Sequence, residues 1–172
     1  MKRKNLDFKV DKLTDSIKNK ISGDSFETQI LRFRLYDIET VTKIKGWRFD
    51  WGDELNDLSK DVYKLTIVQN PEIIQGLISL SVESDHIAMH LLENSPFNIG
   101  RKKLYEGVAG NLVAFCCKIS FQNEMEGFVA FRSKTKLIEH YQKTLGAIHI
   151  GGQKMILQTN AAKILVEKYF KN

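Results

Sequence analysis

Gly107 and Gly110, set in the stretch Leu104-Tyr105-Glu106-Gly107-Val108-Ala109-Gly110-Asn111, open directly into Leu112-Val113-Ala114-Phe115-Cys116-Cys117-Lys118-Ile119. Val108, Leu112, Phe115, Cys116 and Ile119 recur at helical spacing, which predicts a helix with one buried face starting at the glycines. The first N–H groups of a helix have no partner within it, and its dipole favours negative charge at that end. Glycine lets a ligand come close to such a backbone, so this start is a candidate seat for phosphate. The other reading open from the glycines alone is that they punctuate a loop before a core helix.

The order of the neighbouring segments narrows the choice. Tyr63 to Gln69 and Ile73 to Val82 read as strands separated by the turn-like Asn70-Pro71-Glu72, and Ile87 to Leu92 reads as a third strand. After the glycine-rich helix, Gln122 to Gly127 predicts a turn and Phe128-Val129-Ala130-Phe131 a short buried strand. A second helix fits Ser133 to Leu145, with Ser133 as N-cap, Leu137, Ile138, Tyr141 and Leu145 on one face, and Gly146 as the stop. Met155 to Gln158 adds a strand and Ala161 to Phe170 a closing helix. Strands and helices in this order imply a mixed α/β (α+β) domain.

Between Tyr63 and Ala147 this arrangement resembles the GNAT superfamily of acyl-CoA-dependent N-acyltransferases. Two local signatures carry the resemblance. The turn Leu104 to Ala109 is similar to the family's Q/R-x-x-G-x-G/A loop, and His140-Tyr141-Gln142-Lys143-Thr144-Leu145-Gly146-Ala147 is similar to its second helix, where a tyrosine is followed shortly by Leu-Gly. Three departures mark a diverged member: Leu104 stands where the pattern has Gln or Arg, the connection from Pro96 to Gly107 is long, and Tyr141 lies one residue further from its glycine. The resemblance implies a mostly antiparallel central sheet flanked by helices and splayed at the acyl-CoA site.

It also implies roles. The strand from Ile87 would diverge from Phe128 to Phe131, opening a wedge for the pantetheine arm. Backbone around Leu92, Glu93 and Asn94 would hold the acyl carbonyl, while Gly107, Val108, Ala109, Gly110 and Asn111 would grip the pyrophosphate. Tyr141 would be the general acid that returns a proton to the leaving thiolate; the alternative is a tyrosine ring packed in the core. For the base, Glu93 ends its strand, and alternation puts His90 on the strand face shared with His86 and Asn94. A histidine in an apolar strand is also a common hydrogen-bonded core residue. The activity implied is transfer of acetyl from acetyl-CoA, as co-substrate, to a primary amine of a small molecule or protein. The alternative is a non-catalytic module of the same fold that binds CoA or a protein partner. A homodimer is compatible with either.

Composition sets limits on the remaining classes. With 172 residues and 42% hydrophobic content the chain can bury one core, so a single domain over 1–172 is expected. No apolar run reaches the ~18 residues a membrane span needs, and Met1-Lys2-Arg3-Lys4-Asn5 leads into polar residues, so a cytoplasmic protein with no membrane partner is expected. Residues 1–20 hold seven Lys/Arg against three Asp, and the rest of the chain nineteen basic against eighteen acidic residues. The net +5 is therefore local. Residues 1–22 read as a basic helical arm, with Lys9, Lys12, Lys18 and Lys20 on a solvated face and Phe8, Leu13, Ile17 and Ile21 on a narrow apolar one, and nucleic acid is disfavoured as a partner. The exposed-loop cations Arg101, Lys102 and Lys103 either contact nucleotide phosphates or are simply solvated. Adjacent Cys116 and Cys117 read as apolar filler in a buried helix, and no ligand spacing supports a metal. Trp47, Phe49 and Trp51 alternate like one buried face of a strand, favouring a hydrophobic plug over the wall of an acceptor cleft.

Overall fold

The computed structural model describes residues 13–170. In chain order its strands are β1 (Leu13–Asn19), β2 (Ser25–Arg32), β3 (Asp61–Ile67), β4 (Asn70–Val82), β5 (Ile87–Asn94), β6 (Tyr105–Glu106), β7 (Val129–Arg132), β8 (Ile148–His149) and β9 (Lys154–Leu157). Its α-helices are α1 (Trp51–Asn56), α2 (Val108–Gln122), α3 (Ile138–Leu145) and α4 (Thr159–Tyr169). The strands form one sheet in the order β6-β1-β2-β3-β4-β5-β7-β9-β8. Every neighbouring pair is antiparallel except β5 and β7. A parallel pair needs a crossover, and α2 supplies it.

The two faces of the sheet are buried by different segments. On the back face Tyr63, Leu65, Ile78, Leu80 and Ile87 join Leu112, Phe115, Cys116 and Ile119 of α2 and Leu165 of α4 in one core cluster. On the front face Val62, Ile74 and Leu77 pack with Phe33, Val41, Trp47 and Trp51 in a second. Being covered on both sides explains why successive residues of β3 from Val62 to Ile67 and of β4 from Ile74 to Ser81 are buried, polar ones included. Two close packings fix α2, one against the sheet and one against α4. A Cβ on Gly76 of β4 would come within 2.7 Å of Val108 and 3.1 Å of Leu112, and a Cβ on Gly110 would overlap the Tyr169 hydroxyl of α4.

Four expectations are corrected in detail. The helical arm expected over 1–22 is, from Leu13 to Asn19, a strand paired with β2 and β6, because Ile17 is buried by pairing there while Lys18 and Lys20 stay outside. Residues 1–12 of that arm, including Phe8, Lys9 and Lys12, lie outside the described residues. The turn expected at Asn70-Pro71-Glu72 falls instead at Val68-Gln69, and Pro71 sits at the start of β4 where the register with β3 is irregular, a place that tolerates a missing N–H. Ser133 does not cap the second helix. Its hydroxyl donates to the Lys134 carbonyl at 2.9 Å, and a 3-10 turn over Thr135–Leu137 precedes α3. Trp47, Phe49 and Trp51 do not lie on a strand, since Gly46 takes φ 96° and Asp50 caps α1.

The Gly110 contact gives a stability test. Alanine in a helix is favoured over glycine by about 1 kcal/mol, whereas overpacking typically costs about 1–3 kcal/mol. Gly110→Ala is expected to destabilise by about 1 kcal/mol in urea unfolding. Combined with Tyr169→Leu it should cost less than the two single changes summed, and strict additivity would contradict the packing role.

Candidate functional site

The site begins where β5 and β7 part. They pair from Ile87↔Val129 to Met89↔Phe131, and beyond that β5 continues to Asn94 alongside β4 alone, while Arg132 pairs with Lys154 of β9. A strand edge without a neighbour presents unpaired N–H and C=O groups, so the stretch of β5 past Met89 offers a backbone ladder to an extended ligand. A bulge sits at the fork. Ser79 opposes Leu91 and Leu80 opposes Met89, leaving His90 as the extra residue. Bulges bend and twist a strand, which turns β5 away from β7 at the point where their pairing stops.

A cleft of about 1220 Å³ passes through this gap and is lined from both faces of the sheet. Leu92, Glu93, Asn94 and Phe131 line its waist, Arg48 and Phe49 its front, and Ala109, Gly110, Tyr141, Lys168 and Tyr169 its back. That volume exceeds the ~300–1,000 Å³ typical of small-molecule sites and suits a long ligand.

At the back, Gly107 in the left-handed conformation (φ 91°) turns the chain from β6 into α2. Asn111 N–H closes the first helical bond on Gly107 O at 3.0 Å, and the N–H groups of Val108, Ala109 and Gly110 have no partner among the described residues. These donors stand at the carboxyl end of the parallel strand pair, the place where open α/β sheets bind ligands. Arg48, Lys103, Arg132, Lys134, Lys143 and Lys168 line the cleft against a single carboxylate, Glu93. The cleft is strongly cationic although the chain outside its N-terminal arm is nearly neutral.

The expected site residues separate into those that meet at the cleft and those that do not. Leu92, Asn94, Ala109, Gly110, Tyr141 and His90 line it, as does Glu93. The Asn94 Oδ1 is buried there without a hydrogen-bond partner among the described residues. Gly107 and Val108 do not line the cleft, the Val108 side chain being buried against the sheet. Asn111 is turned away: fully buried, its Nδ2 donates to Thr28 Oγ1 at 3.2 Å. Among the three loop cations, Lys103 reaches the cleft, while Arg101 and Lys102 do not line it.

Glu93, the residue expected as a base, is engaged by three N–H donors. Its Oε2 accepts from Arg48 N–H at 2.7 Å, and its Oε1 from Trp51 Nε1–H at 2.9 Å and Phe49 N–H at 3.3 Å. With 5% exposure and every donor neutral, the carboxylate is an anchor for the loop that carries the front wall. The loop was expected to be a plug, and Trp47 and Trp51 are that; Phe49, 40% exposed, is the cleft wall.

His90 also departs from simple alternation. The bulge puts it on the front face, so it does not share a face with Asn94. Its Nε2 lies 2.7 Å from Ser81 Oγ, which donates its proton to Glu83 Oε1 at 2.6 Å; Ser81 therefore accepts from His90 Nε2–H, and Nδ1 carries the free lone pair. Partial burial, with Lys60 nearby, lowers the His90 pKa below 6.5. Tyr141 stacks edge-on against Phe131 at 5.6 Å, and burial raises its pKa above 10, so its hydroxyl keeps its proton at neutral pH. Among the described residues no group of His, Cys, Asp or Glu could hold a metal ion, and no helix is long and apolar enough to cross a membrane.

No family model and no curated protein matches the sequence. Solved structures do match the fold. A chimera of spermidine N-acetyltransferase SpeG from Vibrio cholerae and hSSAT superposes with a TM-score of 0.57 at 12% identity, over 80% of this chain and 98% of that one. The chain has the GNAT fold. A mutant of the AtaT toxin bound to the C-terminus of the antitoxin AtaR and acetyl-CoA aligns at a TM-score of 0.54 and 13% identity, covering 80% and 97% of the two chains. AtaTR bound with acetyl-CoA aligns at 0.52 and 12%, again covering 80% and 97%. This GNAT-fold chain superposes on those structures at 12–13% identity.

Removing the Glu93 charge tests the anchor. A hydrogen bond to a buried charge contributes about 1.5–3 kcal/mol, and Gln can satisfy only part of the three-donor set. Glu93→Gln is expected to lose about 2–3 kcal/mol in urea unfolding and to speed amide exchange at Arg48 and Phe49. Wild-type stability and exchange would contradict it.

Proposed function

We propose that the chain is an acyl-CoA-dependent N-acyltransferase that moves acetyl from acetyl-CoA to an amine. The observation that carries this reading is the conjunction at one cleft of an unpaired strand edge, the unpartnered N–H groups that open α2, with Ala109 and Gly110 in the lining, and the lysines Lys103, Lys143 and Lys168. A thioester carrier with a pyrophosphate needs each of them. The amides of Val108, Ala109 and Gly110 would take the pyrophosphate, aided by Lys103, Lys143 and Lys168. The pantetheine arm would lie along β5 between Leu92 and Asn94, where the orphaned Asn94 Oδ1 can accept from one of its amide N–H groups.

In the reaction the amine nitrogen attacks the thioester carbonyl, the C–N bond forms and the C–S bond breaks. One amine proton leaves to a base and one proton goes to the thiolate. Tyr141, held protonated by burial, is the proton donor to sulfur. His90, neutral at pH 7 with Nδ1 unprotonated, is the candidate base, and its proton can move on through Ser81 to exposed Glu83. Glu93 acts through the loop it pins.

Acetyl-CoA at 100 times its Kd should stabilise the protein by about 2.7 kcal/mol, seen as a rise in Tm; no rise at saturation would overturn the reading. Tyr141→Phe should keep that rise and lower kcat roughly 100-fold or more. A base with a pKa below 6.5 gives an acid limb in kcat that falls off only below that pH, and His90→Gln should remove the limb.

A further inference from the structure

Charge at the front of the cleft bears on which amine enters it, given the acyltransferase reading. Strand alternation puts Phe131 in the back core and so turns Arg132 to the front, the face that holds Arg48, Phe49 and His90. Arg48 and Arg132 are exposed, and neither guanidinium has an ion-pair or hydrogen-bond partner among the described residues. The carboxylate at the front is already used: Glu93 is filled by Arg48 N–H, Phe49 N–H and Trp51 Nε1–H. Acids outside the lining are also engaged: Glu54 pairs with Lys60 at 3.1 Å, Glu83 accepts from Ser81 at 2.6 Å, and Asp50, on the Arg48 loop, caps α1 by accepting from Asp53 N–H at 3.1 Å. A polycationic amine in the cleft would meet two arginines without ion-pair partners and, among the lining residues, only the carboxylate of Glu93, which is already filled.

We infer that the acceptor is an amine whose molecule also carries an anionic group, a carboxylate or a phosphate, bound by Arg48 and Arg132 while Phe49 flanks its body. Arginine presents paired donors in a plane, which fits either anion, and the two charges also repel polycations from the mouth. The amine itself would sit toward His90, and the anion away from the thioester.

The test is binding of three probes by calorimetry, with and without saturating CoA: glycylglycine for a carboxylate, O-phosphoethanolamine for a phosphate, and spermidine for a polycation. One of the two anionic amines should bind roughly tenfold to a hundredfold more tightly than spermidine, the range expected for a hydrogen-bonded charge. Which of them does so identifies the anion. Arg132→Glu and Arg48→Glu should each abolish or reverse the preference, and the Gln variants should weaken it, with the acetyl-CoA thermal shift kept in all four. Spermidine binding as tightly as both anionic amines, neither anionic amine binding, or a preference unchanged in the charge reversals would overturn the inference. Loss of the acetyl-CoA shift in the parent protein would instead sink the acyltransferase reading, since amine selection is also measured without CoA.

Discussion

The separation of β5 from β7 after Met89 and Phe131 is the constraint on which the site rests. A sheet that stayed paired would satisfy the β5 backbone and close the passage between its two faces. Because α2 crosses over between exactly these strands, the same fork that frees the β5 edge also brings the start of α2 beside it. The bulge at His90 converts one extra residue into a bend at the fork, and its second effect is to swing the imidazole to the front face. One irregularity in strand pairing thus shapes the cleft and places His90 in it.

The front wall depends on buried electrostatics more than on regular structure. Residues 33–56 contain only short helical turns, and they are held on the sheet by two charges far away in sequence. Lys64 of β3 reaches Asp37 at 2.7 Å, and Glu93 of β5 gathers three N–H donors from Arg48 to Trp51. Lys64 and Glu93 both lie on central strands of the sheet, so the loop inherits the position of the sheet. This leaves Arg48 and Phe49 displayed at the opening while the two tryptophans beside them are sealed below.

What could be read in the sequence was what is local. The helical spacing from Val108 to Ile119, the short run at Val129, and the stop at Gly146 each depend on neighbours a few residues apart, and each is present. Pairings at long range were hidden. Glu93 is separated by more than forty residues from the donors that occupy it, so its place at a strand end suggested a base. Gly110 looked like a phosphate contact alone, yet the absence of its side chain also makes room for Tyr169, 59 positions on. The lysine-rich pattern of 13–20 suggested a solvated helix, although Ile17 is buried only because β2 and β6 flank it. The cationic cleft was invisible to net charge, because the chain's acids nearly balance its cations while Glu93 is the one carboxylate among the residues that line the cleft. A bulge carries no reliable sequence mark, and one at His90 was enough to reverse the strand face assigned to it.

The free N–H groups at the start of α2 are the proposed seat of the pyrophosphate of an acyl carrier threaded through the fork. Amide-resolved NMR titration with acetyl-CoA measures this most directly. The account predicts the largest shifts at Val108, Ala109 and Gly110, with a second group at Leu92 and Asn94 and little change at Cys116 and Cys117 in the same helix. Saturable binding that leaves the 108–110 amides unmoved would contradict it.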